Sequence, residues 1–319
     1  MRRMKPYVIG VDIGGTTVKL GLFTTQGELL DKWEIPTRVE QGGEEILPDV
    51  ARAISAKLQE RGISCLQVEG IGIGVPGPVD EENVVHKCVN LGWGVFSVEE
   101  RMKQLLPEIS KVAAGNDANV AALGELWQGG GKGRGHDSTV MFTLGTGVGG
   151  GVVLGERIVA GTNGGAGEVG HMTVEPAETV QCSCGKCGCL EQYASANGIV
   201  NLAKRMLAES DKHSDLRDME QFSSREICDL AREGEEMATD IVERCSDYLG
   251  RAMSYVACAV DPDVFILGGG MSRAGDVLIE AVRKAYRKYA FHVSTETPIV
   301  IAGLGNDAGI YGCAKMVID

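Results

Sequence analysis

The sequence predicts an α/β protein built from two halves of similar plan. Residues 6–35 and 138–161 share one order of features: an apolar strand, a tight glycine turn, a second strand, a polar turn and a third strand. Residues 113–125 and 301–315 form a second similar pair, and each runs from a glycine-marked strand end through Asn-Asp-Ala into a helix. Two such pairs indicate an internal repeat.

Amphipathic helices are predicted between the repeated stretches. Apolar residues recur with a period near 3.6 in residues 46–61 and again in residues 235–260. In the longer stretch, the residues that fall on one face are Ile241, Cys245, Tyr248, Leu249 and Ala252.

Two apolar runs that end in glycines are typical of central strands in an α/β sheet. These runs are VEGIGIGVPG (residues 68–77) and DVFILGGG (residues 263–270). The carboxyl ends of such strands usually carry the loops that bind ligands. We predict a small N-terminal domain of residues 1–116 plus 302–319, and a large domain of residues 117–301 that carries a cysteine-rich motif.

Charge and hydropathy exclude some partners. The 319 residues carry a net charge of −13, the isoelectric point is near 5.0, and no basic block is present. Binding to nucleic acid or to an anionic membrane surface is therefore not expected. The start, MRRMKPYVIGVDIGG, lacks the apolar core and cleavage site of a secretory signal, and no apolar run of 18 residues follows. We predict a cytoplasmic protein.

Four of the ten cysteines lie within eight residues, CSCGKCGC at 182–189. In a reducing cytoplasm, such density favours metal binding or catalysis over disulfides. A metal site, a redox dithiol and inert cysteines are the three interpretations of this cluster. The other six cysteines are scattered, as buried small apolar residues usually are.

Three glycine clusters are suited to a nucleotide, because glycines let backbone N–H groups approach phosphate without side-chain bulk. One glycine hairpin alone is more often a plain turn, but matching hairpins in both halves indicate a site for ATP. Asp12, at a strand end, is placed to hold Mg²⁺ through water. The predicted nucleotide-binding residues are Asp12, Gly14, Gly15, Thr16 and Thr17, then Gly145, Thr146 and Gly147, and finally Gly268, Gly269 and Gly270.

Several motifs in order resemble the ROK family of bacterial sugar kinases and repressors, and most closely its glucokinases. They are VDIGGT, GIGVPGPV, GNDANVAALGE, LGTGVGGGVV, GGAGEVGHM and CSCGKCGCLEQYAS, and the resemblance covers residues 7–315. It implies the actin-like ATPase (ribonuclease H-like) fold, with two duplicated domains around a central cleft. This expectation agrees with the repeats.

For the cysteines, the resemblance implies a zinc site formed by His171, Cys182, Cys184 and Cys189. One imidazole and three thiolates form a closed tetrahedral set, so this zinc is expected to be structural. Cys187 falls on a variable position of the family pattern. Because Cys184-x-x-Cys187 is itself a chelating spacing, replacement of one ligand by Cys187 stays open.

Asp117 is the candidate catalytic base. Phosphoryl transfer requires that the attacking hydroxyl be oriented and lose its proton. From the residues alone, Asp117 suits this role or that of a helix N-cap equally well, and Asp307 in the second Asn-Asp-Ala copy is predicted to be an N-cap. The resemblance assigns the base to Asp117.

Sugar recognition needs several polar groups that converge on ring hydroxyls. In the resemblance, one ring nitrogen of His171 binds zinc and the other a sugar hydroxyl, so the metal fixes the orientation of the ring. Trp93 is expected in the core. The substrate contacts that the resemblance implies are Asn116, Asp117, Glu168, His171 and Glu191, with Gly77 through its backbone and Asn90 as a further contact.

The predicted function is ATP-dependent phosphorylation of glucose at its 6-hydroxyl, and by resemblance a homodimer. Fructose, mannose, allose or an N-acetylated amino sugar are alternative acceptors, and polyphosphate or ADP alternative donors. A sugar-sensing regulator is a second class. The family's repressors carry a helix-turn-helix domain of roughly 60–80 residues first, and about six residues precede Tyr7 here. A non-catalytic sugar-binding or zinc-structural protein is the third class.

Overall fold

The computed structural model describes residues 4–133 and 135–318. Its strands follow the predicted meanders and apolar runs closely. The β-strands are β1 (Tyr7–Ile13), β2 (Thr17–Thr24), β3 (Leu29–Pro36), β4 (Val68–Val75), β5 (Val84–Cys88), β6 (Trp93–Ser97), β7 (Lys111–Asn116), β8 (Thr139–Leu144), β9 (Val148–Leu154), β10 (Arg157–Ile158), β11 (Val264–Gly268) and β12 (Ile299–Ile301).

The helices confirm the periodicity seen in the sequence. All five residues expected on one face of the longest helix are buried. Among the described residues, no helix combines the length and the apolar character needed to cross a membrane. The α-helices are α1 (Ile46–Glu60), α2 (Val98–Leu105), α3 (Asp117–Gln128), α4 (Glu191–Ala194), α5 (Ala196–Ala208), α6 (Ser224–Arg232), α7 (Glu236–Val260), α8 (Asp276–Tyr289) and α9 (Ala308–Lys315).

Two five-stranded sheets carry the internal repeat. The first has the order β3-β2-β1-β4-β7, in which β1, β2 and β3 form an antiparallel meander and β4 and β7 add parallel to β1. The second has the order β10-β9-β8-β11-β12, with β11 parallel to both β8 and β12. In each sheet, three strands that are consecutive in the chain are followed by two from later in the sequence. The predicted α/β class and its duplication are confirmed.

The chain divides into two compact units. The first comprises Met1–Ser138, Gly151–Gly167 and Gly303–Asp319, and the second comprises Thr139–Gly150 and Glu168–Ala302. The predicted domains, residues 1–116 plus 302–319 and residues 117–301, stay a prediction. They differ from this division mainly because α3 packs closely on α9, which lies in the same unit.

In the first unit, the sheet is covered on both faces. Ile9 and Val11 of β1 face a core that α1 completes with Val50 and Ile54, and all four side chains are fully buried. Val8 points the opposite way and packs in a smaller cluster with residues of α9. The alternation of inward residues along β1 is what a strand covered on both faces requires.

Helix α9 lies directly against strand backbone, and this approach requires glycine in the strands. A Cβ atom on Gly10 of β1 would fall 1.9 Å from the carbonyl oxygen of Ile310, and one on Gly72 of β4 would fall 1.7 Å from that of Cys313. Such distances are far below van der Waals contact. The glycines in these strands therefore have a packing role, in addition to any role in turns.

We expect Gly72→Ala to lower the free energy of unfolding by about 2–3 kcal/mol, because α9 must move to admit the methyl group. Urea unfolding followed by circular dichroism measures this change. The matched control is Gly94→Ala in β6, because a Cβ there meets nothing within 4 Å. Equal stability of the two variants would contradict the proposed packing role.

Candidate active site and metal centre

In the first unit, the predicted phosphate hairpin is the turn between β1 and β2. The N–H of Gly14 donates to the carbonyl of Thr17 at 3.0 Å, and the hydroxyl of Thr37 donates to the carbonyl of Gly14 at 2.7 Å. Gly15 and Thr16 lie exposed at the tip. These two hydrogen bonds fix the backbone of the hairpin at Gly14, and the exposed tip is accessible to a ligand.

Asp12 precedes this hairpin near the end of β1 and is half-buried. Its carboxylate lies against the first turn of α9, since a Cβ on Gly309 would fall 2.5 Å from its Oδ2 atom. Burial and the charge of Asp117 raise the pKa of Asp12 to about 6, and Lys19 opposes the shift. A carboxylate whose pKa is raised by burial and by a second carboxylate lies in an environment that a divalent cation stabilises.

Asp117 is the first residue of α3, and its neighbour Asn116 caps the helix. The Oδ1 atom of Asn116 accepts the N–H groups of Ala118 and Asn119 at 3.0 and 3.2 Å, as an N-cap side chain does. The side chain of Asp117 accepts the N–H of Ala118 at 2.8 Å. Because Asn116 occupies the N-cap position, the alternative interpretation of Asp117 as the N-cap is wrong.

Asn116 also reaches the loop that follows β4. Its Nδ2 atom donates to the carbonyl of Gly77 at 3.2 Å, and Gly77 packs on Cys88. Asn90 lies exposed in the turn after β5, whereas Trp93 is 5% exposed and donates its indole N–H to the carbonyl of Gly43 at 3.0 Å. The structure thus joins Asn116 to Gly77 and places Trp93 in the core, as predicted.

The second Asn-Asp-Ala copy differs from the first. Asp307 precedes α9, but its carboxylate binds the ammonium group of Lys32 at 2.8 Å and makes no capping hydrogen bond to the helix. Asp307 thus occupies the predicted N-cap position of α9, but its side chain makes an ion pair in place of a capping hydrogen bond. Both copies lie at the start of a helix, but their aspartates make different contacts.

In the second unit, the other predicted phosphate hairpin joins β8 to β9. The N–H of Gly145 donates to the carbonyl of Gly147 at 3.0 Å, and the N–H of Ala196, at the start of α5, donates to the carbonyl of Gly145 at 2.8 Å. Thr146 is exposed at the tip. Glu191 lies beside the hairpin, since a Cβ on Gly147 would fall 2.6 Å from its Oε2 atom.

The third glycine cluster follows β11 and lies next to this hairpin. Gly269 has φ of 83° and abuts the backbone of Leu144, the last residue of β8. Gly268 ends β11, and Gly270 begins a short turn that lines a cavity of about 520 Å³. Sequence reasoning missed the other wall of this cavity, which carries no glycine motif. The residues of that wall are Ser224, Arg225, Cys228, Asp229 and Arg232 of α6.

One imidazole and three thiols come together in the second unit. The ligand atoms of His171, Cys182, Cys184 and Cys189 all lie within 4.8 Å of one another. The sulfurs of Cys184 and Cys189 are 3.5 Å apart, and the sulfur of Cys182 is 3.8 Å from Nδ1 of His171. Metal–sulfur bonds of about 2.3 Å in a tetrahedron place the sulfurs roughly 3.8 Å apart. The donor set and its spacing therefore fit a tetrahedral cation such as zinc.

Cys187 lies outside this group of four. Its thiol is 3.6 Å from the carbonyl of Thr179, to which it donates. The replacement of a ligand by Cys187, left open by the sequence, finds no support in this arrangement.

The protonation of the thiols also favours a cation. Burial, followed by hydrogen bonding from Cys184 and Cys182, raises the pKa of Cys189 to about 12. Burial likewise raises the pKa of Cys182, whereas the backbone N–H of Lys186 lowers that of Cys184. The three thiols would not ionise together at neutral pH unless a cation stabilised the thiolates.

Two carboxylates flank the imidazole of His171. Its Nδ1 faces the thiols, and its Nε2 is 4.0 Å from Oε2 of Glu168. Glu191 lies 3.8 Å from Nδ1 and accepts hydrogen bonds from Cys182 and Ser183 at 2.9 and 3.0 Å. Burial raises the pKa of Glu191, but these hydrogen bonds outweigh it, and the net pKa is lowered. Glu191 thus contacts both the thiol group and the phosphate hairpin.

The chain is similar to known proteins along almost its whole length. A family model described as "ROK family" matches residues 8–319. The glucokinase of Halalkalibacterium halodurans is 40% identical, over 98% of this chain and 94% of that protein.

Solved structures agree with this similarity. A ROK hexokinase from Thermus thermophilus is 33% identical with a TM-score of 0.78, covering 97% of both chains. A ROK family glucokinase from Streptomyces griseus, solved with glucose and AMPPNP, is 31% identical with a TM-score of 0.70, covering 97% of this chain and 98% of that one. With two duplicated α/β sheets and full-length similarity of this kind, the chain belongs to the ROK family and has its actin-like ATPase fold.

Proposed function

We propose that this protein is an ATP-dependent sugar kinase that phosphorylates glucose at its 6-hydroxyl. The observation that carries the proposal is Asp117 at the start of α3, whose cap is supplied by Asn116. Because Asn116 supplies the cap, Asp117 is not needed as the N-cap of α3. The full-length similarity to glucokinases supports the choice of glucose and ATP.

Asp117 is the proposed base. It takes the proton of the 6-hydroxyl while that oxygen attacks the γ-phosphorus of ATP, and the bond from the γ-phosphorus to the bridging oxygen breaks. The products are ADP and the sugar 6-phosphate, and the proton leaves Asp117 for solvent.

Asp12 is the proposed residue that holds Mg²⁺ through water. The metal, when bound, neutralises charge on the phosphates. The fit rests on the pKa of Asp12, which burial and Asp117 raise. A cation there would stabilise the ionised form of Asp12.

Each hairpin offers backbone N–H groups and threonine hydroxyls to phosphate oxygens. We assign Gly14, Gly15, Thr16 and Thr17 to this role in the first unit. Gly145, Thr146 and Gly147 have it in the second. The cavity beside Gly270, with Gly268 and Gly269 at its approach, is the proposed nucleoside site.

The proposed sugar contacts are polar groups, among which His171 has a second proposed role as a metal ligand. Nδ1 of His171 lies next to the thiol of Cys182, whereas Nε2 lies next to Glu168, so a metal bound at Nδ1 would leave Nε2 for a sugar hydroxyl. Zinc on Nδ1 would fix the ring and its tautomer. The remaining proposed contacts are Gly77, Asn90, Asn116, Asp117, Glu168 and Glu191.

Zinc is the proposed occupant of the group formed by His171, Cys182, Cys184 and Cys189. Four protein ligands leave no open position, so the metal would stabilise structure rather than activate water.

We further propose a cytoplasmic homodimer, in line with the family resemblance. Light scattering coupled to size-exclusion chromatography gives the subunit number.

A coupled assay over a panel of hexoses and phosphate donors tests the substrate. We expect glucose with ATP to give the highest kcat/KM, ahead of fructose, mannose, allose and N-acetylated amino sugars, and ahead of polyphosphate or ADP as donor. The matched control is 6-deoxyglucose, which lacks the attacked hydroxyl and should inhibit without being phosphorylated. A higher kcat/KM for another hexose would replace glucose in the proposal, and no turnover with any sugar would leave a sensing or binding role.

A further inference from the structure

We call His171, Cys182, Cys184 and Cys189 the metal group. The segment that carries its three thiols is also attached to neighbouring helices. We call residues 174–190 the cysteine loop. The guanidinium of Arg251 on α7 donates to the carbonyl of Val174 at 3.1 Å, and the hydroxyl of Tyr248 on α7 donates to Glu175 at 3.2 Å. The start of the loop is therefore fixed to α7 without any contribution from a metal.

Glu178 is the centre of this attachment. Its Oε2 accepts the hydroxyl of Tyr193 and the guanidinium of Arg205, each at 2.6 Å. Its Oε1 accepts the backbone N–H groups of Thr179 and Val180, each at 3.0 Å. The side chain of Glu178 is only 6% exposed. One carboxylate thus joins the loop to α4 and α5 with all of its bonds satisfied.

The carboxylate of Glu178 stays ionised at physiological pH. The hydrogen bond from Tyr193, followed by those from Val180 and Arg205, lowers the pKa of Glu178 to about 2. Hydrogen bonds to an ionised acceptor are roughly twice as strong as neutral ones. The loop is therefore anchored by a charge that does not titrate in the working range.

The residues that hold Glu178 are themselves fixed. Tyr193 stacks on Tyr248 with ring centroids 4.2 Å apart, and both side chains are almost fully buried. The guanidinium of Arg205 lies over the ring of Tyr193, 5.5 Å from its centroid. The anchor therefore has a rigid base on three helices.

A short path of hydrogen bonds connects this anchor to a thiol of the metal group. Gln192 donates to the carbonyl of Val180 at 2.9 Å and accepts the N–H of Cys189 at 3.0 Å. Val180 is one of the two residues whose N–H groups bind Glu178. The position of Cys189 is thereby linked to the position of Glu178.

We propose that Glu178 is a positioning residue for the metal group, which holds the cysteine loop in its metal-binding conformation before the cation arrives. The inference rests on the zinc site proposed above. A ligand set held in place by its surroundings binds its metal without first ordering the chain, and outer contacts of this kind strengthen metal binding.

The test is the zinc affinity of Glu178→Gln in the full-length protein, measured by competition with a chromogenic chelator. The amide would turn an N–H donor toward Arg205 and remove the charge, so we expect zinc affinity to fall by about 10- to 100-fold. The readout does not depend on kinase activity. The matched control is Glu243→Gln, because Glu243 is an exposed carboxylate that binds Lys284 away from the loop, and its zinc affinity should stay unchanged.

A double-mutant cycle with Tyr193→Phe separates positioning from a general loss of structure. We expect the loss in Glu178→Gln,Tyr193→Phe to be smaller than the sum of the two single losses, because both remove the same contact. Arg205→Met is the second variant should Glu178→Gln not fold, and a several-fold loss is expected there. Unchanged zinc affinity in the folded variants overturns the role of Glu178, whereas wild-type protein that binds no zinc overturns the zinc site itself.

Discussion

Asp117→Asn lowers kcat for glucose phosphorylation by about 10²- to 10⁴-fold, the contribution usually made by a positioned general base. The amide keeps the size of the side chain and its contact with the N–H of Ala118. It cannot accept the proton of the 6-hydroxyl. The sugar should still bind, because the other proposed contacts are intact.

Two measurements separate the effects. Initial rates from a coupled assay give kcat, and isothermal titration with glucose gives the dissociation constant, which we expect to change by less than about threefold. A loss of binding equal to the loss of kcat would mean that Asp117 holds the sugar and does not act as its base.

Asp307→Asn is the matched control in the second Asn-Asp-Ala copy. Asp307 pairs with Lys32 on a half-exposed surface, and such pairs contribute about 0–1 kcal/mol to stability. We expect its kcat to remain within twofold of wild type. A comparable loss of kcat in both variants would remove the special role of Asp117.

We expect removal of the proposed zinc, by chelation or by Cys184→Ser, to weaken both the fold of the second unit and its affinity for the sugar. Structural zinc sites contribute several kcal/mol of folding free energy, so we expect a fall in Tm of roughly 10 °C. His171 then loses the partner that fixes its ring, and we expect the affinity for glucose to fall by about 10- to 100-fold.

Three measurements separate these effects. Atomic absorption gives the metal content, calorimetry gives Tm, and titration gives the affinity for glucose. The matched control is Cys187→Ser, because Cys187 lies in the same motif but outside the group of four. It should retain the wild-type metal content. A variant that holds no metal but keeps full sugar affinity would contradict the coupling between the two sites, and loss of zinc in Cys187→Ser would reassign a ligand.

Much of the fold could be predicted because its signals are local. The period of 3.6 in the sequence predicts α1 and α7 to within one residue at each end, and the glycine and polar turns predict the meander of β1, β2 and β3. The two glycine hairpins and the Asn-Asp-Ala copies are also local patterns, and they predict the duplication. The cysteine cluster is dense enough to stand out without any knowledge of distant contacts.

The contacts that decide chemistry lie between residues distant in sequence. The charge of Asp117 raises the pKa of Asp12, although the two residues are far apart in the sequence. Sequence pattern cannot give that interaction, since it depends on the register of β1, β4 and β7. The sequence likewise could not predict that α6 lines the cavity beside Gly270, because the arginines of α6 resemble those of an ordinary solvated helix face.

The sequence by itself determined the α/β class, the repeat, the hairpins and the cysteine cluster, because these depend on residue type and spacing over a few turns of chain. The tertiary structure decided which residue caps α3, which cysteine lies outside the group of four and which nitrogen of His171 lies next to a thiol. These choices depend on side-chain directions and on hydrogen bonds between segments. Distance in space, which spacing along the chain does not encode, is the physical reason for the difference.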